Sequence, residues 1–416
     1  MRNTIRHVTR GCLVAFGVLI LAITGFAAWN WRSTSIYLSN VQGILGAPGY
    51  FGGMGTAEDM LAYIQQHPTS TALAIATVQQ DGSVGFDTMH NQAMPMPLAS
   101  TMKIVVLAAY AREVEQGRLD PDEQILLTDW ERYYLPDSDG GAHKAALAEL
   151  NLLADGSGFS TDGAASVKLD QLARAMIRFS DNAATDYLLA RLGQDAVQST
   201  IEEAGLTQQE PIQPIVGTFL SWHNHEQPDQ SVARRDELLT LGTSDYAAEA
   251  ARLEAAYLDP AWREAELRWQ DERSEPVDVA YQSRLAQALM PHGTAEDYAR
   301  IMAGVVSDSF LSAEVSAIMR RHLEWPMEKP GNQQNYQAFG AKGGSVLGVQ
   351  NEAMYMIPKS GDYADQRRVM VLLINEMPFS AWFRLSQTFA NQDFLVKIAT
   401  EQAFANRVEA ELAAVR

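Results

Sequence analysis

The alternation of apolar and polar positions divides the chain into segments of recognisable period. Thr56 precedes Glu58 and Asp59 and then Met60, Leu61 and Ile64, the pattern of a capped helix, which ends near Pro68. Residues 71–78 are β-branched and apolar, Asp81-Gly82-Ser83 is turn chemistry, and residues 84–88 resume the strand pattern, predicting a hairpin. Residues 104–110 are apolar nearly all round and predict a buried helix, with Ser100 at its N-terminus. Residues 167–193 read as a helical pair broken at Ser180-Asp181-Asn182, and residues 229–290, rich in Ala, Glu, Leu and Arg with Trp262 and Trp269, as a solvated helical insertion. Three short strands are expected at 337–342, 352–357 and 368–374, and helix over 382–415. Strands at both ends with helices between imply a sheet assembled from the two termini, a helical lobe inserted in the middle, and a cleft between them.

Composition narrows the function. With 416 residues and 47% apolar content the chain can bury at least one large core. Lys and Arg number 32 against 51 Asp and Glu, a net charge of -19, which argues against nucleic acid as a partner. The single cysteine, Cys12, excludes an intramolecular disulfide and a cysteine-ligated zinc. It lies in an uncharged run over 12–29 that follows Arg2, Arg6 and Arg10, the pattern of a membrane anchor with its N-terminus in the cytoplasm and the rest of the chain outside. Trp29, Trp31 and Arg32 fit interfacial anchors, while Gly25-Phe26-Ala27 would suit signal cleavage and secretion instead. The glycine-rich stretch 33–55 reads as a tether between this single-pass inner-membrane segment and a domain over 56–416.

Candidate chemistry lies at three places. A serine hydroxyl needs a neighbour to take its proton, and Ser100 and Lys103 share one helix face at i, i+3. Such a pair arises about once by chance in a chain this long; Ser180-Asp181-Asn182 downstream, with a chance expectation of roughly one in twenty, and then Lys342-Gly343-Gly344-Ser345 change the odds.

In this order the three motifs resemble the Ser-x-x-Lys, Ser-Asp-Asn and Lys-Thr-Gly set of class A β-lactamases and penicillin-binding proteins. The resemblance implies a mixed α/β (α+β) fold with a five-stranded antiparallel sheet from both chain ends. The α/β lobe would comprise 56–99 and 290–416, the helical lobe 100–228 and the insertion 229–289. It also implies roles: Ser100 acylated, Lys103 accepting its proton, Ser180 relaying a proton to the leaving nitrogen, and Asn182 holding the substrate's amide. Lys342 would add positive charge, and the N–H groups of Ser100 and Ser345, next to Gly344, would bind the oxyanion. Asp181 is expected to be structural. A cleft-edge tyrosine would be Tyr134 or Tyr133. No cofactor is implied, and His223-x-His225-Glu226 reads as a solvated loop, not a metal site.

The sequence departs from the family pattern at two points. Gly343 replaces the hydroxyl residue after the third-motif lysine, with Ser345 available to compensate. Glu210-Pro211 is the candidate for the glutamate that activates the deacylating water, although it stands close to the second motif. The readings open at this level are a β-lactamase-like hydrolase, a D-alanyl-D-alanine peptidase or esterase acting on a peptidoglycan-like substrate with the same residues, and a non-catalytic wall- or protein-binding relic.

Overall fold

The computed structural model describes residues 53–273 and 278–415, so the expected anchor over 1–32 and all but the last three residues of the tether fall outside the described residues. Of these, Met54 is docked: it is 2% exposed, and its carbonyl accepts from Thr388 Oγ1. Among the described residues no helix is long and apolar enough to cross a membrane.

Helix α1 (Ala57–Gln66) starts at Thr56, whose hydroxyl accepts from Asp59 N while the Asp59 carboxylate accepts from Thr56 N. Strands β1 (Thr71–Val78) and β2 (Val84–His90) form the expected hairpin, with a bulge between Ile75 and Ala76. A 3₁₀ turn at Ala99–Met102 leads into α2 (Lys103–Glu115), α3 (Leu169–Arg178) precedes α4 (Asn182–Leu192), and α5 (Ile215–Trp222) follows. The insertion supplies α6 (Val232–Leu239), α7 (Thr243–Leu258), α8 (Pro260–Glu272) and α9 (Val279–Leu289), and α10 (Ala295–Val306) returns the chain to the sheet. Strands β3 (Tyr336–Val346), β4 (Val349–Pro358) and β5 (Arg367–Ile374) then precede helices α11 (Phe379–Thr388), α12 (Ala390–Thr400) and α13 (Gln402–Ala413).

The sheet is antiparallel throughout, in the order β2-β1-β5-β4-β3, so the chain's two ends meet where β1 pairs with β5. Period-two alternation sorts its faces. Leu73 and Ile75 point into a core with Met60 and Ile64 of α1, Phe394 of α12 and Val408 of α13. Ala72, Ala74 and Ala76 face the other core, which holds Tyr298 and Met302 of α10 and the apolar side chains of α2. The row of alanines leaves room for α10 to lie close on β1.

The insertion is not the solvated appendage its composition predicts. Tyr246, Leu253 and Tyr257 of α7 are buried, and Leu253 and Tyr257 pack on Val216 and Leu220 of α5. Polar residues hold it down too: the buried Glu266 carboxylate accepts from the backbone and ring nitrogens of His225, both at 2.8 Å. The alternation of acids and bases described the outer faces of these helices and concealed an aromatic stripe at helical spacing.

Helices α5 and α7 meet backbone to backbone at Gly217, where an added Cβ would stand 1.9 Å from the Ala250 carbonyl oxygen. Gly217→Ala therefore forces the helices apart and lowers stability by about 1–3 kcal/mol. Denaturant titration should show a lower midpoint at unchanged slope; an unchanged midpoint would mean that the insertion does not need this approach.

Candidate active site

The turn that carries Ser100 is held from two sides. Before it, Met96 and Pro97 bridge to His292 and Gly293, and Leu98 N donates to Pro291 O at 2.9 Å. From the sheet, the buried Asn351 side chain donates to the carbonyls of Pro97 at 2.8 Å and Leu98 at 3.0 Å, and accepts from Ile374 N. Ala99 can then adopt φ +46°, a conformation that a non-glycine residue keeps only when its surroundings over-determine it. Ser100 emerges from this bend half-buried, in the wall of the cleft.

Lys103, one turn on, is 0% exposed. Its Nζ donates to Ser180 O at 2.6 Å, to Asn182 Oδ1 at 2.7 Å and to Ser180 Oγ at 3.3 Å. None of its hydrogen bonds goes to Ser100; the spacing that suggested a direct pair instead brings the lysine onto the second motif. Burial lowers its pKa to about 8, against the opposing charges of Asp181, Asp186 and Asp139.

The second motif sits at the junction of α3 and α4, where Ser180 takes φ +67°. Lys342 of β3 donates to Ser180 Oγ at 3.0 Å and to Gly343 O at 2.6 Å, so one hydroxyl stands between two buried lysines. Burial, and next the Lys103 charge, push the Lys342 pKa well down. On β3, Gly344 is fixed by space: a Cβ there would lie 2.5 Å from Thr101 Oγ1 and 2.6 Å from Leu98 O, so only glycine lets this edge strand close on the Ser100 turn. Ser345 follows in the cleft wall, its Oγ accepting from Trp382 Nε1 of α11 at 3.1 Å.

Ser100, Ser180, Asn182, Gly344 and Ser345 thus line one cleft of about 710 Å³, with Lys103 and Lys342 bonded to them from behind. Phe219, Trp222 and Trp382 supply apolar wall, and Arg273 and Gln282 bring the insertion into the lining.

Two predicted residues lie elsewhere. Glu210 is bound to His292, its Oε2 accepting from the backbone nitrogen at 2.9 Å and the ring Nδ1 at 3.0 Å, and it is not among the cleft residues. Those hydrogen bonds lower its pKa, the wrong direction for a base near neutrality. Tyr134 is buried with its ring stacked on His143 at 4.2 Å, and Tyr133 packs edge-on to Tyr187; neither borders the cleft. Apolar burial claims both rings, and the segment's cleft residues are Leu135 to Gly140. His223, expected in a solvated loop, is largely enclosed, and burial lowers its pKa to about 4.

Sequence reasoning missed the support beneath Asp181. This fully buried carboxylate accepts from Ala184 N at 2.7 Å, capping α4, and pairs with His143 Nδ1 at 2.7 Å, while His143 Nε2 faces Glu131 at 3.4 Å. His143 carries no motif signal, since its partners are 12 and 38 residues away. Burial acts to lower its pKa, but the Asp181 charge and hydrogen bond and then Glu131 outweigh it and raise the value to about 9. A folded-state pKa above the unfolded one means stability present in full below about pH 6.5 and lost as pH rises through about 9. Removing one partner of a buried pair costs about 3–5 kcal/mol. His143→Gln should therefore destabilise most at pH 6 and least above pH 9, as measured by denaturant unfolding; a pH-independent loss would mean that His143 is neutral in the fold.

The sequence matches the Beta-lactamase enzyme family over residues 56–364. Similar solved structures include a β-lactamase from Sphaerobacter thermophilus (17% identity over 83% of this chain and 97% of that one, TM-score 0.47). Others are PBP-A (14%, 80% and 95%, TM-score 0.44) and a class A β-lactamase representative from Bacteroides cellulosilyticus (12%, 86% and 99%, TM-score 0.47). No curated protein matches the sequence. A match over most of the chain, with the three motifs gathered at one cleft, makes this protein a member of the β-lactamase enzyme family.

Proposed function

We propose that the protein is a serine acyl hydrolase, acylated at Ser100 by a β-lactam or a related amide or ester. The observation that carries this is the enclosed Lys103, with a pKa lowered to about 8 and one turn from Ser100, bonded to the hydroxyl that Lys342 also holds. Lys103 in its neutral form takes the Ser100 proton as Oγ attacks the carbonyl carbon. The oxyanion is stabilised by the N–H groups of Ser100 and Ser345. Collapse of the tetrahedral intermediate breaks the bond to the leaving nitrogen or oxygen, which takes its proton from Ser180; Lys103 reprotonates Ser180. The N-terminal apolar run supports catalysis outside the cytoplasmic membrane.

The position of Glu210 favours a long-lived acyl-enzyme, as in a D-alanyl-D-alanine peptidase or penicillin-binding enzyme, over rapid β-lactam hydrolysis. Its carboxylate is committed to His292 and is not in the cleft wall. A non-catalytic relic would have no need to bury two lysines around one serine hydroxyl.

Incubation of the protein with a fluorescent penicillin and with nitrocefin tests this. A covalent adduct that Ser100→Ala abolishes is expected, with little nitrocefin turnover. Lys103→Ala should slow acylation by about 10²–10⁴-fold, and Glu210→Gln should leave the acyl-enzyme lifetime unchanged. The acylation rate should rise with pH through about 8, as Lys103 loses its proton. Absence of any Ser100-dependent adduct with penicillins, activated esters and fluorophosphonates would overturn the proposal.

A further inference from the structure

Glu352 is a carboxyl group that neither the core nor the acylation chemistry uses. It lies on β4 directly across from Gly343, is 3% exposed, and lines the cleft. Both of its hydrogen bonds, from Gln392 Nε2 at 3.2 Å and Asn391 Nδ2 at 3.4 Å, reach Oε2; neither reaches Oε1. The nearby Lys342 spends its hydrogen bonds on Ser180 and Gly343. Oε1 is thus left with acceptor capacity, and the cleft is the open side from which a donor can come.

Gly343 belongs to the same arrangement. A Cβ at this position would stand 3.3 and 3.5 Å from the two Glu352 oxygens, so a side chain there would lie in contact with the carboxyl. The strand segment beside the nucleophile therefore offers space and an acceptor where a hydroxyl-bearing residue would have offered a donor. The wider lining holds three carboxyls, Asp137, Asp139 and Glu352, and one guanidinium among the described residues, with the Lys103 and Lys342 ammonium groups behind it. The guanidinium, that of Arg273, is held over the Trp269 ring and against His223 Nε2.

We propose that Gly343 and Glu352 form a subsite for a hydrogen-bond donor on the substrate, an amide N–H or an ammonium, and that they disfavour substrates presenting a free carboxylate there. The proposal rests on the acyl-serine reading above and deepens it. The preferred acyl donors are neutral or amidated at the leaving-group end, and the free acid is the poor substrate.

A matched pair of depsipeptide esters tests this, one with D-lactate and the other with D-lactamide as leaving group. In each, Ser100 Oγ replaces the ester oxygen and the hydroxy product leaves with the proton. In the wild type kcat/KM should be at least about tenfold higher for the lactamide ester, and the isosteric Glu352→Gln should bring the two within about twofold. Equal rates, a faster lactate ester, or a ratio unchanged in Glu352→Gln would overturn the subsite; the wild-type ratio alone needs no variant. So would labelling of Ser100 by a fluorophosphonate with no reaction of either ester. Failure of the fluorophosphonate as well would instead overturn the acyl-serine reading beneath it.

Discussion

An ammonium group with no exposed surface must find an acceptor for every proton, and Lys103 finds all three on the second motif: Ser180 O, Ser180 Oγ and Asn182 Oδ1. Meeting that demand ties the start of α2 to the α3–α4 junction and so fixes the Ser100 turn against the helical lobe. The same demand explains why Asp181 is buried beside them. It caps α4, holds the turn that presents Ser180 and Asn182, and is itself answered by His143. Desolvation, which makes the lysine costly to enclose, also brings its pKa within reach of neutrality. Structure and reactivity at this point are one electrostatic arrangement.

The arrangement requires unfavourable backbone at both ends. Ala99 and Ser180 take positive φ, and each is braced by groups outside its own turn. For Ala99 the brace is Asn351, which reaches from the middle of the sheet to two successive carbonyls, together with the close approach that Gly344 permits. Ser100, Ser180 and the edge strand are therefore positioned by buried polar contacts, while the apolar cores position the elements that carry them.

Much of this was legible in the sequence, for reasons that differ by element. The α1 cap, the β1–β2 hairpin and the three late strands follow from local patterning, and their bounds shift by a few residues because ladders extend past the apolar run, as when β3 continues to Val346. The gathering of Ser100, Lys103, Ser180, Asn182 and Lys342 was legible because three short motifs, the first of them common by itself, occur in one order. Glu210 and Tyr134 were misplaced because a loop acid and a tyrosine carry no local sign of whether they face a cleft or a neighbour; His292 and His143 decide it. His143, Asn351 and Glu352 were missed because their partners are distant in sequence. A faint signal existed for Glu352, an acid opening an otherwise apolar strand. The insertion was misread because surface charge on its helices outweighed Tyr246, Leu253 and Tyr257 in the composition.

The pairing of β1 with β5 joins residues 71–78 to residues 367–374, so the central seam of the sheet cannot close until nearly the whole chain is available. Loop-closure entropy for so distant a contact must be met before any of its stabilisation is gained. The helical lobe, dominated by nearer contacts, can gather first. Strand β3, which completes the cleft against the Ser100 turn, belongs to the late half. Ser100 is thus synthesised well before the edge strand and the second lysine that stand beside its turn in the folded chain.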